Sequence, residues 1–386
     1  MDVKKHLTLN DFAVLSLTLC LMASFMGTIF SVPRITSLAF ALSMVAVVCL
    51  FGYRCFKNQK INSYLAGMML LMVLSLLFGD FGGGFDYFKP AIILLCAFAC
   101  IALSYDVEIS EDCKKLVILA VMVGSVTVVI YFHFFGLNKD FYGSTDLALL
   151  KFQNPNEAGL WVTFFIMIVS AGIRVFSTVV MKIVSAFVAI QLIPLLMAVK
   201  SRNAIIACAF FLVGYAILWI FKMKKVPKWV ILTVTLSPLI VFSAYMLIHY
   251  ANPDMLKVVV GDDPSKTMSS RAEVWSRVVE SFKDSFLFGD YGEFADQQMH
   301  NSFATVFCQY GILFVAVATS FMYNAACRLQ KKRSVYSALA LCSIYVSGCF
   351  ETSLFGGVSG LYLMFFLLPV CFGAGKRKEA LNVSEK

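Results

Sequence analysis

Three side chains stand where phosphate and hydroxyl chemistry could be done: Arg202, Arg271 and His300. Arg202 lies in Lys200-Ser201-Arg202-Asn203 at the edge of an apolar run, and Arg271 opens a segment that also carries Arg277. His300 begins the stretch His300-Asn301-Ser302-Phe303. A guanidinium stays charged and grips phosphate oxygens as a planar fork. An imidazole near its free pKa takes a proton from a hydroxyl. The combination suits a reaction in which a diphosphate departs and a sugar hydroxyl attacks. Each residue also has a plainer reading. Arg202 reads as a cation snorkelling from a helix end, Arg271 and Arg277 as a solvated helix face, and His300 as an incidental boundary histidine. His133 and His249 read as packing and interfacial histidines with no such neighbours. What raises the first group is that all of its members fall on one side of a membrane, around one loop.

That placement follows from the elements. The chain is 60% hydrophobic and 14% charged, against roughly half and a quarter in a soluble domain. Charge-free runs occupy 12–32, 35–53, 61–79, 90–105, 116–135, 158–173, 183–199, 203–221, 229–250, 301–327, 334–350 and 352–375. Runs of this length span about 30 Å of hydrocarbon as helices. The expectation is an all-α, polytopic integral membrane protein of about twelve spanning helices, with 1–386 as a single membrane domain. The run 12–32 is expected to be a retained helix rather than a removed signal peptide. Of the 32 basic residues, 21 fall on segments that alternate onto the side of the N-terminus, among them Lys4, Arg54, Lys114, Arg174, Lys224, Lys332 and Lys376. Basic residues near helix ends resist translocation, so both termini are expected in the cytoplasm. The net charge of +9 is thereby a topology signal and not a sign of nucleic-acid binding.

Two outer loops result, 136–157 and the long loop 251–300 between the ninth and tenth helices. In the second, Ser270-Arg271-Ala272-Glu273 has capping-box spacing. Trp275, Val278, Val279, Phe282 and Phe286 then recur on one helical face, which predicts an amphipathic helix over 270–286, lying on the membrane or capping the bundle. Ten of the twelve cysteines sit inside apolar runs as small hydrophobes, and no metal spacing appears.

At these residues the chain resembles the O-antigen polymerase and O-antigen ligase superfamily of bacterial envelope glycosyltransferases. Four features carry the resemblance: the Asn154-Pro155-Asn156 turn before a helix, Ser201-Arg202-Asn203 at a helix mouth, Arg271 four residues before Trp275, and His300-Asn301 followed by Gln309-Tyr310-Gly311. The chain departs from the family at Asn203, where Gly or Ala is common, and at Gln309-Tyr310, where an acid often precedes the glycine. The resemblance implies a substrate of undecaprenyl-diphosphate-linked oligosaccharide within membrane lipid, at the periplasmic face of the bacterial inner membrane. It implies Arg202 and Arg271 on the diphosphate and His300 as base or acceptor-orienting group. Asn154, Asn156, Arg277 and Asn301 are the further candidates for holding substrate. No cofactor or metal is expected. A chain-length regulator and a flippase are the expected protein partners.

Polymerisation of lipid-linked repeats is the preferred activity, and transfer of finished polymer to the lipid A core is the alternative. A transporter of the same lipids is the rival of another class. Coupled transporters carry ionisable groups within their helices, and the twelve runs contain no Asp, Glu, Lys or Arg.

Overall fold

The computed structural model describes residues 7–30, 32–58, 62–78, 88–135, 155–199, 201–252, 269–294, 299–350 and 360–373, and all regular structure among them is helical. In chain order the helices are α1 (Leu9–Ile29), α2 (Pro33–Asn58), α3 (Ser63–Phe78), α4 (Lys89–Asp106), α5 (Glu111–Phe135), α6 (Pro155–Val175) and α7 (Val179–Val199). They continue with α8 (Arg202–Ile220), α9 (Lys228–Ala251), α10 (Ser269–Ser281), α11 (Tyr291–Phe294), α12 (Ser302–Lys332), α13 (Val335–Ser347) and α14 (Met364–Cys371).

Among the described residues, nine helices are long and apolar enough to cross a membrane: α1, α2, α4 to α9, and α12. Their outer surfaces are apolar. On α2, Leu38, Leu42, Val45 and Val48 form an exposed stripe at helical spacing. Such a stripe is a liability in water and an ordinary surface in lipid, where polar residues turn inward instead. The other three expected spans are occupied by the shorter α3, α13 and α14. At about 1.5 Å per residue, the 13 residues of α13 reach about 20 Å. It ends at Gly348 instead of continuing to 350, because Gly348 is the seat of another segment. A helix can stop short at membrane depth where protein surrounds its end, and nearly all of α13 is buried.

One end of the bundle gathers the basic residues expected on a single side. Lys114 Nζ reaches Glu111 at 2.6 Å and donates to the Gly373 carbonyl at 2.7 Å. Arg54 bonds Asn10 at 2.7 Å, Lys332 pairs with Asp106 at 2.9 Å, and Arg333 donates to the Val107 carbonyl. The Arg174 guanidinium lies 3.7 Å from the centre of the Tyr336 ring. The beginning of α1 and the chain near Gly373 therefore share this end.

At the opposite end, the amphipathic helix closes at Ser281 rather than 286, and of the two placements expected for it, it takes the one that caps the bundle: Trp275 and Val278 are fully buried, while Phe286 is exposed. Trp275 packs on Phe242 and Tyr245 of α9, with ring centres 5.3 and 4.8 Å apart. The stretch after it is also more than a connecting loop. Residues 286–290 run against a break in α12, where Gly311 has φ 76° and ψ 179°. In an unbroken helix the Ile312 N–H would bond the Cys308 carbonyl. Here Ile312 N–H donates to Phe286 O at 2.9 Å, and Cys308 O accepts from Asp290 N–H at 2.7 Å. The returning segment thus satisfies both halves of the lost bond, and Ser75 donates to the Gln309 carbonyl beside them. Gln309 Nε2 in turn donates to the Phe294 carbonyl at 3.1 Å.

Candidate functional site

His300 sits in the left-handed region at φ 50°. Histidine tolerates that region better than most residues, yet the conformation costs on the order of 1 kcal/mol and persists only where its surroundings dictate it. They do so from three directions. Trp275 of α10 donates its indole N–H to the Met299 carbonyl at 2.6 Å. Asn301 donates to the Pro238 carbonyl of α9 at 3.0 Å and to the Cys349 carbonyl at 2.9 Å. Its Oδ1 accepts the Ala304 N–H at 3.0 Å and so caps α12. Ser302 donates from its backbone N–H and its hydroxyl to the Gly348 carbonyl, at 2.8 and 2.9 Å. A Cβ on Gly348 would stand 2.5 Å from Ser302 Oγ, so glycine is what lets the strands of the clamp meet. His300 is partly buried in this turn, with Nδ1 inside.

Arg202 is the first residue of α8 and is exposed. Its N-cap, Ser201, accepts the Ala204 N–H and donates to Asn156 Oδ1 at 3.0 Å. This bond ties the start of α6 to the start of α8, where Gly159 allows close approach: a Cβ there would lie 2.6 Å from Ser201 and 2.7 Å from Ala204. A helix N-terminus carries a partial positive charge and free N–H groups. A guanidinium placed there adds to that field instead of cancelling it, which makes the mouth of α8 attractive to an anion.

The structure therefore joins the candidates in two pairs. Asn156, at the start of α6, meets the Ser201–Arg202 corner, and the α10 segment of Arg271 meets the His300 turn through Trp275. The pairs are linked by α13, which lies along α8, with Gly214 of α8 against Leu339, and ends in the clamp on Ser302. Asn301 is committed to holding the turn: its amide is completely buried and spent on the protein. Arg277 is exposed on α10. Asn154 and the Arg271 side chain lie outside the described residues, as do Asp262 and Asp263. His249 lies beside Tyr250, and His133 lines an apolar groove of about 310 Å³ between α5 and α7, with Nδ1 2.9 Å from the Val129 carbonyl. Among the described residues no three of His, Cys, Asp and Glu converge as metal ligands.

Sequence reasoning named Gly311 only within the Gln309-Tyr310-Gly311 motif, and it foresaw a close backbone approach at none of Gly289, Gly311 and Gly348. A lone glycine near the end of a helical pattern can mark its C-cap, and Gly348 carried that signal.

The fold is that of a polytopic α-helical membrane protein. No known family model matches the chain, and no curated protein or solved structure does so either.

Proposed function

We propose that this protein is a membrane glycosyltransferase that polymerises undecaprenyl-diphosphate-linked oligosaccharide repeats at the periplasmic face of the bacterial inner membrane. The observation that carries the reading is the over-determined turn of His300, at the same end of the bundle as the arginine-bearing mouth of α8. In this reading a hydroxyl of the acceptor sugar attacks the anomeric carbon of the donor. The bond from that carbon to the diphosphate oxygen breaks, and the hydroxyl proton passes to His300. Arg202 and Arg271 stabilise the charge gathering on the departing lipid diphosphate, which is catalysis by fixed charge. In this reading the chain crosses the membrane about twelve times, the basic end faces the cytoplasm with both termini, and α10 shapes the entrance for the second lipid-linked saccharide.

Sidedness is tested directly. In a cysteine-free background, a cysteine at 262 is expected to react with an impermeant thiol reagent added outside, and one at 224 is not. Labelling at 224 from outside would invert the protein and remove the catalytic argument with it.

The activity is tested with purified protein in detergent. Lipid-linked repeats are expected to become longer chains without an ion gradient, and a chelator is expected to leave the rate unchanged. A requirement for a gradient would favour transport. In a deletion strain the lipid A core is expected to carry a single repeat as one short band. Bare core, with full-length polymer held on undecaprenyl diphosphate, would instead identify the ligase.

A further inference from the structure

We infer that Asn203 is a substrate-binding residue, whose buried amide pairs with a hydroxyl or acetamido group on the donor sugar next to the diphosphate; this rests on the glycosyltransferase reading. Asn203 is only 4% exposed, and neither Nδ2 nor Oδ1 has a partner among the described residues. An amide buried without partners costs roughly 1–3 kcal/mol in proteins, so such a group calls for an explanation. Local structure supplies none. Ser201 already caps the helix, and the carbonyl of Ala204 already accepts from Thr163 Oγ1 at 3.1 Å. Among the described residues nothing in the fold calls for an amide at 203.

The position is also the right one. Asn203 belongs to the buried stripe of α8 that continues through Ala207 and Phe211. Three turns further along the same face is Gly214, which meets Leu339 of α13. The two helices run antiparallel, because Tyr215 stacks near Tyr336 at the opposite end, with ring centres 5.1 Å apart. Three turns back toward the arginine end, Asn203 comes level with the end of α13, whose Gly348 and Cys349 carbonyls hold the His300 turn. Asn203 thus lies on the face of α8 that meets α13, next in sequence to Arg202 and level with the clamp. The partner follows from hydrogen-bond bookkeeping. A phosphate oxygen can only accept and would satisfy Nδ2 alone. A hydroxyl or acetamido group both donates and accepts, so it satisfies Nδ2 and Oδ1 together.

The test compares wild type, Asn203→Ala and Asn203→Ser, using lipid-linked repeats as donor and undecaprenyl diphosphate as inhibitor. Asn203→Ala is expected to keep or raise the melting temperature, raise KM for the donor about tenfold, which matches the loss of about 1.4 kcal/mol, and change kcat little. Asn203→Ser, which keeps a group that donates and accepts, is expected to recover part of the loss. Sugar-free undecaprenyl diphosphate is expected to inhibit all three equally. An unchanged KM with a lowered melting temperature would make Asn203 a structural group holding water and overturn the inference. Weaker inhibition of Asn203→Ala by undecaprenyl diphosphate would move the amide onto the phosphate and overturn its assignment to the sugar. Wild type that extends the donor while Asn203→Ala does so equally well defeats this inference alone. Wild type that neither extends nor is thermally stabilised by the donor defeats the glycosyltransferase reading and this inference together.

Discussion

His300→Ala is expected to lower chain extension by about 10²–10⁴-fold, the range contributed by a positioned general acid or base, while the protein still inserts and purifies normally. His300→Asn separates chemistry from backbone. Asparagine occupies the left-handed region readily, so the turn at φ 50° survives, but an amide takes up no proton near neutral pH. The expected result is an inactive protein with the wild-type melting temperature. Arg202→Ala is expected to be comparably inactive, through loss of a charge-assisted contact of about 1.5–3 kcal/mol that strengthens as the diphosphate departs. Arg202→Lys is expected to recover little, because an ammonium cannot form the fork. His249→Ala and His133→Ala serve as controls and are expected to leave extension intact, since His249 is seen against Tyr250 and His133 lies in the groove between α5 and α7. Full activity in His300→Asn would remove the histidine from the mechanism.

Gly311→Ala is expected to destroy the fold rather than the chemistry. With φ 76° and ψ 179°, Gly311 lies in a region that is essentially reserved for glycine. A Cβ there would also stand 2.3 Å from the Leu287 carbonyl oxygen, a backbone atom with no room to yield. Gly289, at φ 68°, is its counterpart, with a Cβ position 2.5 Å from Tyr310 N. Backbone strain alone accounts for about 1–3 kcal/mol at each site, and the overlaps add to it. Both alanine variants are expected to lose most monodisperse protein on size exclusion. The double variant is expected to be less damaged than the sum of the two, since each clash opens the same joint. Gly52→Ala in α2, where a Cβ meets nothing within 4 Å, is the control and is expected to be neutral or slightly stabilising. A Gly311→Ala protein as stable as wild type would mean that the 286–290 segment does not dock on the break.

The helices were legible because a hydrocarbon solvent imposes a crude rule, length without charge, and each apolar run holds a helix. The buried face of α10 was legible for the same reason, from the spacing of Trp275 and Val278. The Asn156–Ser201 and Trp275–Met299 pairings were not legible, since nothing local in either motif names its partner. The clamp was not legible at all. Its acceptors are backbone carbonyls of Pro238, Gly348 and Cys349, and a carbonyl leaves no trace in residue type. The docking of 286–290 was hidden likewise: Asp290 and Phe286 act there through main-chain N–H and C=O, while their side chains read as polar loop and amphipathic face. Asn203 stood out only as a departure, and its burial is what gives the departure physical content.

The same clamp sets an order on biosynthesis. Asn301 bonds a carbonyl 63 residues before it and another 48 residues after it. At a synthesis rate of 5–20 residues per second, the Cys349 carbonyl is made about 2–10 s after the asparagine that needs it. Through that interval the histidine turn has its α9 tether available but lacks the one beyond α13. The nascent chain therefore enters the membrane with its His300 turn only partly tethered. The turn is fully held only when nearly all of the helices have emerged, so a truncated product that stops before α13 lacks the Cys349 and Gly348 tethers.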